Sequence, residues 1–378
     1  MAKSPLRHTV AIAGLGVLGS STALHLARRG AQVIGFDLDA PPHAMGSSHG
    51  RSRIIRQAYF EHPDYVPLVQ RSLRLWNELQ TEAGRQLIAP GGALMLGRPD
   101  SALIAGAADS AGRHGLRHEW LEGPELARRF PMFSPEPGMV GLWDPDAAAL
   151  FPESCVSVQL GLAEAAGAQL HLNEPVMEWT TGPQGVRVTT ARGCYQADQL
   201  VLAVGSYLPG LLEGIDHSLW VERQVQYWFK PVAPSPLPIH LWELADGTFM
   251  YGFPDFGDGL KVALHHGGEA THPENVRRTH DPTELAAMRG LMERHLPGLA
   301  GQLMHSEVCL YTNTPDGHFW IDRHPSHPDV FIASACSGHG FKFASGLGEA
   351  LAAWILDGEP ATSLALFRHR STLGLGSV

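Results

Sequence analysis

The sequence predicts a mixed α/β protein of two interleaved domains, and three observations carry that expectation. Residues 9–37 read as strand, glycine turn, amphipathic helix and second strand. A strand of the same apolar kind returns in mid-chain, in QLVLAVG (199–205), and residues 220–265 alternate aromatic and polar positions. The first two suit a parallel sheet with helices against it, and the third suits a large antiparallel sheet with one face on a core. At 378 residues the chain exceeds the usual size of one core, and 44% hydrophobic content is that of an ordinary globular protein.

The first unit, TVAIAGLGVLGSSTALHLARRGAQVIGFD, carries glycines at working spacings. Gly14 permits the tight turn, Gly16 lets backbone approach a pyrophosphate, and Gly19 lets the helix pack closely on the strand. The helix is amphipathic through Leu18, Leu24 and Leu26, has Arg28 and Arg29 in its last turn, and stops at Gly30. Asp37 ends the second strand, placed for a ribose hydroxyl. Small residues also occur in such turns for helix–strand packing alone, but the complete unit points to a dinucleotide in a Rossmann-like domain.

Next comes a polar, glycine-containing loop, PPHAMGSSHGRSRIIRQAY (41–59), expected to line a site, and a helix from Tyr65 to about Leu79. LHLNEP (170–175), VMEWTT (176–181), VRVTT (186–190) and a segment near Tyr195 read as a meander separated by Gly and Pro turns. The strand ending at Ala203, Val204 and Gly205 reads as a central parallel one, whose carboxyl end is the usual place for ligand. Residues 329–358 read as strand, glycine loop and apolar helix ending at Gly358.

A net charge of −10 argues against nucleic acid or an anionic membrane as the main partner. Cys155, Cys194, Cys309 and Cys336 form no CxxC pair and no metal spacing, so each reads as a small buried hydrophobe in a reducing cytoplasm. Lys3 and Arg7 precede an apolar run as in a signal peptide, but the fingerprint glycines lie inside that run, so no targeting segment is expected. No apolar stretch approaches the ~20 residues that span a bilayer.

Several residues stand out chemically. The loop SGHGFKFASG (337–346) opens a helix, so its N–H groups and Lys342 present positive potential to an anion. The plain alternative, a turn with a solvated lysine, fits poorly with flanking Phe341 and Phe343. Arg51, Arg53 and Arg56 lie within six positions, and each reads equally as a bidentate carboxylate binder or as surface charge. Lys261 sits in an apolar strand, where an ammonium is costly unless paired or used, and His265 falls on the same face. His265 and His266 are adjacent on a strand, so they are expected to point to opposite faces, and no metal is predicted.

The motifs GLGVLG, FDLDAPPH, GSSHGRSRIIRQAY, YVPLVQRSLRLWNEL, YGFPDFGDGLKV, VCLYTNTPDGHFWID and SGHGFKFASGLGE occur in one order. In these the chain resembles, almost end to end, the monomeric sarcosine oxidase and N-methyltryptophan oxidase group of the D-amino acid oxidase-like flavoproteins. The resemblance implies an FAD-binding domain at 1–82, 150–215 and 310–378, interleaved with an α+β substrate domain at 83–149 and 216–309. It implies FAD contacts at Gly14, Gly16, Val17, Leu18, Gly19, Asp37, Ser47, Arg53, Val176, Gly205, Gly338, Gly340 and Lys342, and an 8α-S-cysteinyl link at Cys309. It further implies that Arg56 and Lys342 clamp a substrate carboxylate, with Tyr251 beside them. Lys261 matches the lysine credited with activating oxygen, while Arg53, His49, His265 and Tyr311 match active-site positions.

The implied reaction oxidises the C–N bond of a secondary amino acid to an imine, with O₂ reduced to H₂O₂ by a cytoplasmic monomer. The chain departs from the common SHHGDTR at Ser48 and Arg51. LWELADGTFMYG has the length seen in the N-methyltryptophan branch, with Trp242, Phe249 and Met250 expected to shape an apolar pocket. A flavin dehydrogenase with another acceptor, a non-catalytic flavin protein and an NAD-dependent dehydrogenase are competing readings. Lys261, the carboxylate clamp and the absence of a recognisable nicotinamide pocket respectively weigh against them.

Overall fold

The computed structural model describes residues 8–368 apart from 213, 214, 216, 217 and 233–236. Residues 1–7, with Lys3 and Arg7, and residues 369–378 of the expected FAD domain lie outside it.

A six-stranded sheet runs in the order Trp320–His324, His327–Ser334, Gln199–Leu202, Thr9–Ala13, Gln32–Phe36, Gln169–His171. All neighbours are parallel except the first pair. Strict alternation builds its two faces. Val10 and Ile12 join a core with Leu24, Leu26, Val69, Val156 and Leu351 of the helices, whereas Ala11 and Ala13 join Val186 and Val188 on the other side. The helices are Val17–Arg28, Tyr65–Ala83, Pro152–Ala165 and Ala344–Asp357. The helix at Tyr65 runs past Leu79 to Ala83, where Gly84 takes a left-handed cap.

The predicted meander is three-stranded, Glu178–Gly182, Gly185–Thr190 and Gly193–Ala197. LHLNEP is not part of it. Its strand, Gln169–His171, pairs in parallel with Gln32–Phe36 at the edge of the main sheet, and Asp37 N–H donates to the His171 carbonyl at 3.1 Å. Backbone pairing, which side-chain alternation cannot report, decided between the two sheets.

A nine-stranded sheet forms the second layer. Trp220–Pro231 pairs with Glu269–Thr271, Leu260–His265 and Ala300–Asn313, and from Leu260–His265 the order continues through Phe249–Phe253, Ile239–Glu243, Ala93–Gly97, Val140–Asp144 and Glu119–Leu121. Ala300–Asn313 stays in this sheet across position 310. A small sheet of Arg53–Ile55, Ala148–Leu150 and Ile88–Pro90 adds to the framework around the site.

Candidate active site

The carboxyl ends of strands Thr9–Ala13 and Gln199–Leu202 open onto a cavity of about 800 Å³ lined by Gly14, Gly16, Asp37, Ser47, Val176 and Gly205. The turn is held by close backbone approach. Gly14 has φ +88, a Cβ on it would collide with the Ala203 carbonyl, and one on Gly19 would collide with the Gly14 carbonyl. Helix Val17–Arg28 has no acidic residue in its first turn and no side-chain cap from Gly16, leaving a positive helix end. Ser48 Oγ accepts from Val17 N–H at 3.0 Å. Asp37 is buried, and its carboxylate accepts from Leu15 N–H at 2.6 Å and contacts His43 Nε2 at 3.0 Å. That hydrogen bond raises the His43 pKa.

A second cavity, about 110 Å³, continues from the first through Gly16, Ser47 and Gly205. Val17, Leu18, Arg53, Cys309, Gly338 and Gly340 also line it. Arg53 Nη2 lies 3.6 Å from Cys309 Sγ and donates to the Ser47 carbonyl at 3.1 Å, while Ser47 Oγ donates to the Leu310 carbonyl. Gly338 has φ +77, and a Cβ there would collide with the Tyr311 ring.

A third cavity, about 70 Å³, adjoins the second through Arg53, Tyr311, Gly338 and Phe341. Here the structure brings together Arg56, Lys342, Tyr251, His265 and Tyr311, which are far apart in sequence. Arg53 opens strand Arg53–Ile55 and Arg56 follows it, both line the cavity, and Arg56 is buried, not surface charge. Its guanidinium pairs with Glu61 at 2.9 Å, and its Nε is buried without a partner. Burial would raise the Glu61 pKa, but Arg56, His339 and Lys342 together bring it below the usual carboxylate value.

Lys342 is also buried, donating to the His339 carbonyl at 2.8 Å, and burial followed by the Arg56 charge pushes its pKa down to about 7. Burial raises Tyr251 to about 12 and lifts Tyr311 well above the ordinary phenol value, so both remain neutral phenols. His265 Nδ1 lies 3.3 Å from Tyr311 Oη, and burial, with His266 and the nearby cations, drives its pKa well below the ordinary value. A neutral imidazole results.

The adjacent histidines do not point apart. His266 lies just past the strand with φ 67, which turns its ring to 4.2 Å from that of His265. The alternation rule ends where the strand ends. No cluster of three or more metal-ligating side chains occurs among the described residues.

Lys261 and His49 line none of these three cavities. Lys261 is buried, with Nζ donating to the carbonyls of Gly50 at 2.7 Å and Ser52 at 2.9 Å. Burial, then the Arg53 charge, lowers its pKa well below the usual value. His49 lies between Glu307 and the Gly46 carbonyl, 3.1 Å from each. Arg51, left-handed at φ 63, pairs with Asp258 at 2.6 Å. Trp242 does not reach the pocket. It is fully buried in the core of the larger sheet and donates to His240 Nδ1, leaving Phe249 and Met250 on the cavity.

Residues 9–354 match the family model described as FAD dependent oxidoreductase. The chain belongs to that family. Within it, the chain is similar to the monomeric sarcosine oxidase of Streptomyces avermitilis, with 43% identity over 96% of this chain and 97% of the relative. It is 34% identical to the N-methyl-L-tryptophan oxidase of Salmonella newport, over 96% and 98% of the two chains. Among solved structures it resembles NikD, an amino acid oxidase essential for nikkomycin biosynthesis, with a TM-score of 0.85 and 25% identity, covering 98% of this chain and 100% of that one.

The residues present fit the FAD that the family uses. The glycine cradle, the helix N-terminus with no acid in its first turn and the two cavities that share Gly16, Ser47 and Gly205 give an elongated site for a dinucleotide.

Sequence reasoning missed Glu61, Phe60, Tyr59 and His339. Tyr59 Oη lies 2.5 Å from His339 Nδ1, and the Tyr59 ring lies 4.3 Å from the Arg56 guanidinium carbon. The available signal was AYFEH, an acid and two aromatics immediately after the arginine cluster.

Proposed function

We propose that the protein oxidises the C–N bond of a secondary amino acid to an imine, with O₂ reduced to H₂O₂. The observation that carries this reading is the convergence of Arg56 and Lys342 on one small, aromatic-walled cavity adjoining the cavity that contains Cys309. Bound FAD supplies a two-electron acceptor. Gly14, Gly16, Gly19, Asp37, Val176, Gly205, Gly338 and Gly340 would hold it, with Cys309 as the point of covalent attachment.

The chain's own groups position the substrate. Arg56 and Lys342 take the carboxylate, which fixes the reacting C–H. Neutral His265 presents a lone pair towards the amine, and Tyr251 and Tyr311 donate hydrogen bonds without ionising. A neutral amine loses hydride from carbon as its nitrogen lone pair forms the C=N bond, and release of the N–H proton from the resulting iminium leaves the imine. Water then hydrolyses the imine to a carbonyl compound and an amine. O₂ receives two electrons and two protons, with the Lys261 ammonium stabilising the first negative charge. The protein acts as a monomer, as the names of its sarcosine oxidase relatives have it, and in the cytoplasm, in keeping with four free cysteines.

The test is anaerobic mixing of holoenzyme with sarcosine, N-methyl-L-tryptophan, L-proline and glycine, followed by air. Bleaching of the flavin absorbance by a secondary amino acid, and return of colour with stoichiometric peroxide, is the expected result. Bleaching that only an added quinone reverses would replace oxygen as acceptor, and no bleaching by any of them would sink the reading.

A further inference from the structure

Four side chains stand in a row along the small cavity. The Arg56 guanidinium carbon lies 4.6 Å from the Phe60 ring centroid. Phe60 stacks on Phe249 with centroids 5.7 Å apart and planes at 15°. Phe249 in turn meets His265 edge-on at 6.5 Å. The ring pair thus spans the distance between the cation that takes a carboxylate and the imidazole that faces an amine. All four residues line the cavity.

We propose that the Phe60–Phe249 stack is the wall that sets substrate size, admitting small aliphatic secondary amino acids and rejecting those with an aromatic side chain. The inference rests on the amino acid oxidase reading above. The cavity of about 70 Å³ is far below the ~300 Å³ at the lower end of pockets for drug-sized ligands. The part of its lining made by Phe60, Leu241, Phe249 and Met250 matches a methyl group or a small ring better than a second polar function.

The backbones behind the wall are held in place. The Phe60 backbone is pressed against helix Ala102–His114, where a Cβ on Gly106 would collide with the Phe60 carbonyl. One residue earlier, the Tyr59 carbonyl accepts from Ser110 Oγ at 2.5 Å on the same helix. Phe249 sits in a strand paired on both sides, with Glu243 and with His265. Both rings pack with Ala58, Ile104 and Leu241 in one apolar cluster. A bulky side chain therefore meets two rings whose backbones are fixed, and packed interiors yield little to added volume.

The test uses the holoenzyme and two unreactive carboxylates, propanoate and indole-3-acetate, titrated against the visible flavin spectrum. In the unsubstituted enzyme propanoate should perturb the spectrum and indole-3-acetate should bind at least about tenfold more weakly. Phe60→Ala and Phe249→Ala should each move that ratio towards the aromatic ligand by about tenfold or more, with the larger shift in the double variant. Phe60→Leu and Phe249→Leu keep most of the packing and serve if the alanine variants do not fold, with a smaller shift in the same direction.

Equal binding of both carboxylates by the unsubstituted enzyme overturns the wall, as does a ratio unmoved in every variant. If neither carboxylate perturbs the flavin and no secondary amino acid bleaches it, the oxidase reading itself fails. That outcome is distinct from propanoate binding with an unmoved ratio, which removes only the wall.

Discussion

Arg56 and Glu61 form an ion pair inside the small cavity, with one terminal guanidinium nitrogen 2.9 Å from each carboxylate oxygen. The cation proposed to take the substrate carboxylate thus already holds a carboxylate. An incoming anion must compete with Glu61 or share the guanidinium with it, and the unpartnered Nε offers a second donor edge. Glu61→Gln removes the competing charge but keeps an acceptor. Small carboxylates should then bind about tenfold or more tightly in a flavin difference titration, since hydrogen bonds to charged groups contribute about 1.5–3 kcal/mol. The melting temperature should fall, because a buried pair loses one partner. Weaker binding in this variant, like the loss expected for Arg56→Ala, would mean that Glu61 organises the clamp and does not compete for it.

Lys342 gives the site a pH dependence whose sign follows from its environment. Burial, then the Arg56 charge, places its free-enzyme pKa at about 7, below the ordinary lysine value. The ammonium is present below that pH, and a bound carboxylate raises the pKa by favouring the charged form. Affinity for propanoate should therefore be greatest below pH 7 and fall as pH rises, by up to about tenfold per unit. His339, held at about 4 by burial, stays neutral across a pH 6–9 titration and does not contribute. Lys342→Met should bind weakly and show a flat profile. A fall of the same slope in that variant would assign the titration to another group.

The parts legible in the sequence were those that local chemistry fixes. The turn at Gly14, Gly16 and Gly19 follows from backbone contacts within one βαβ unit, and Lys261 and Lys342 announced themselves as cations among apolar neighbours. The parts that were not legible depend on irregular turns and on which distant segments meet. Glu61 partners Arg56 through the local turn after strand Arg53–Ile55, which no periodicity reports, and Phe60, outside any strand, becomes a wall only when it meets the distant Phe249 on the large sheet. Alternation put His265 on the same face as Lys261, yet of the two only His265 lines the small cavity, and the rule failed at His266, where φ turns positive. Trp242 reads as pocket-forming beside Phe249, but its strand directs it into the opposite core.

Lys261 donates to two backbone carbonyls and joins no ion pair among the described residues. An ammonium has three N–H donors, so these carbonyls leave one, and Nζ lies 5.2 Å from the ring centroids of Trp228 and of Phe253, which lines the small cavity. Burial and the Arg53 charge make the protonated form costly here, and a developing negative charge on oxygen would relieve that cost. Lys261→Met should slow reoxidation of the substrate-reduced enzyme by about 10²-fold, the size of effect seen when one preorganised donor to a developing anion is lost. Anaerobic reduction by substrate should change by no more than severalfold. Stopped-flow measurement of the two half-reactions separates these outcomes, and equal slowing of both would remove Lys261 from the oxygen step.

Cys309 is buried on strand Ala300–Asn313, two residues from Tyr311 on the same face, with the Arg53 guanidinium 3.6 Å from its sulfur. A thiol held beside a fixed cation, at the cavity next to the substrate site, suits attachment to a flavin methyl group. Acid precipitation of the purified enzyme should therefore leave a yellow pellet, and the mass of the chain should rise by that of FAD less two hydrogens. Cys309→Ser should release its flavin to the supernatant while keeping the ability to bind it, because the glycine cradle and the helix end at Val17 are untouched. Arg53→Lys keeps a charge but loses the planar fork that reaches both Cys309 and the Ser47 carbonyl. Attachment should be incomplete in that variant. A colourless pellet from the unsubstituted enzyme after incubation with FAD would leave the cofactor site standing and take the covalent role away from Cys309.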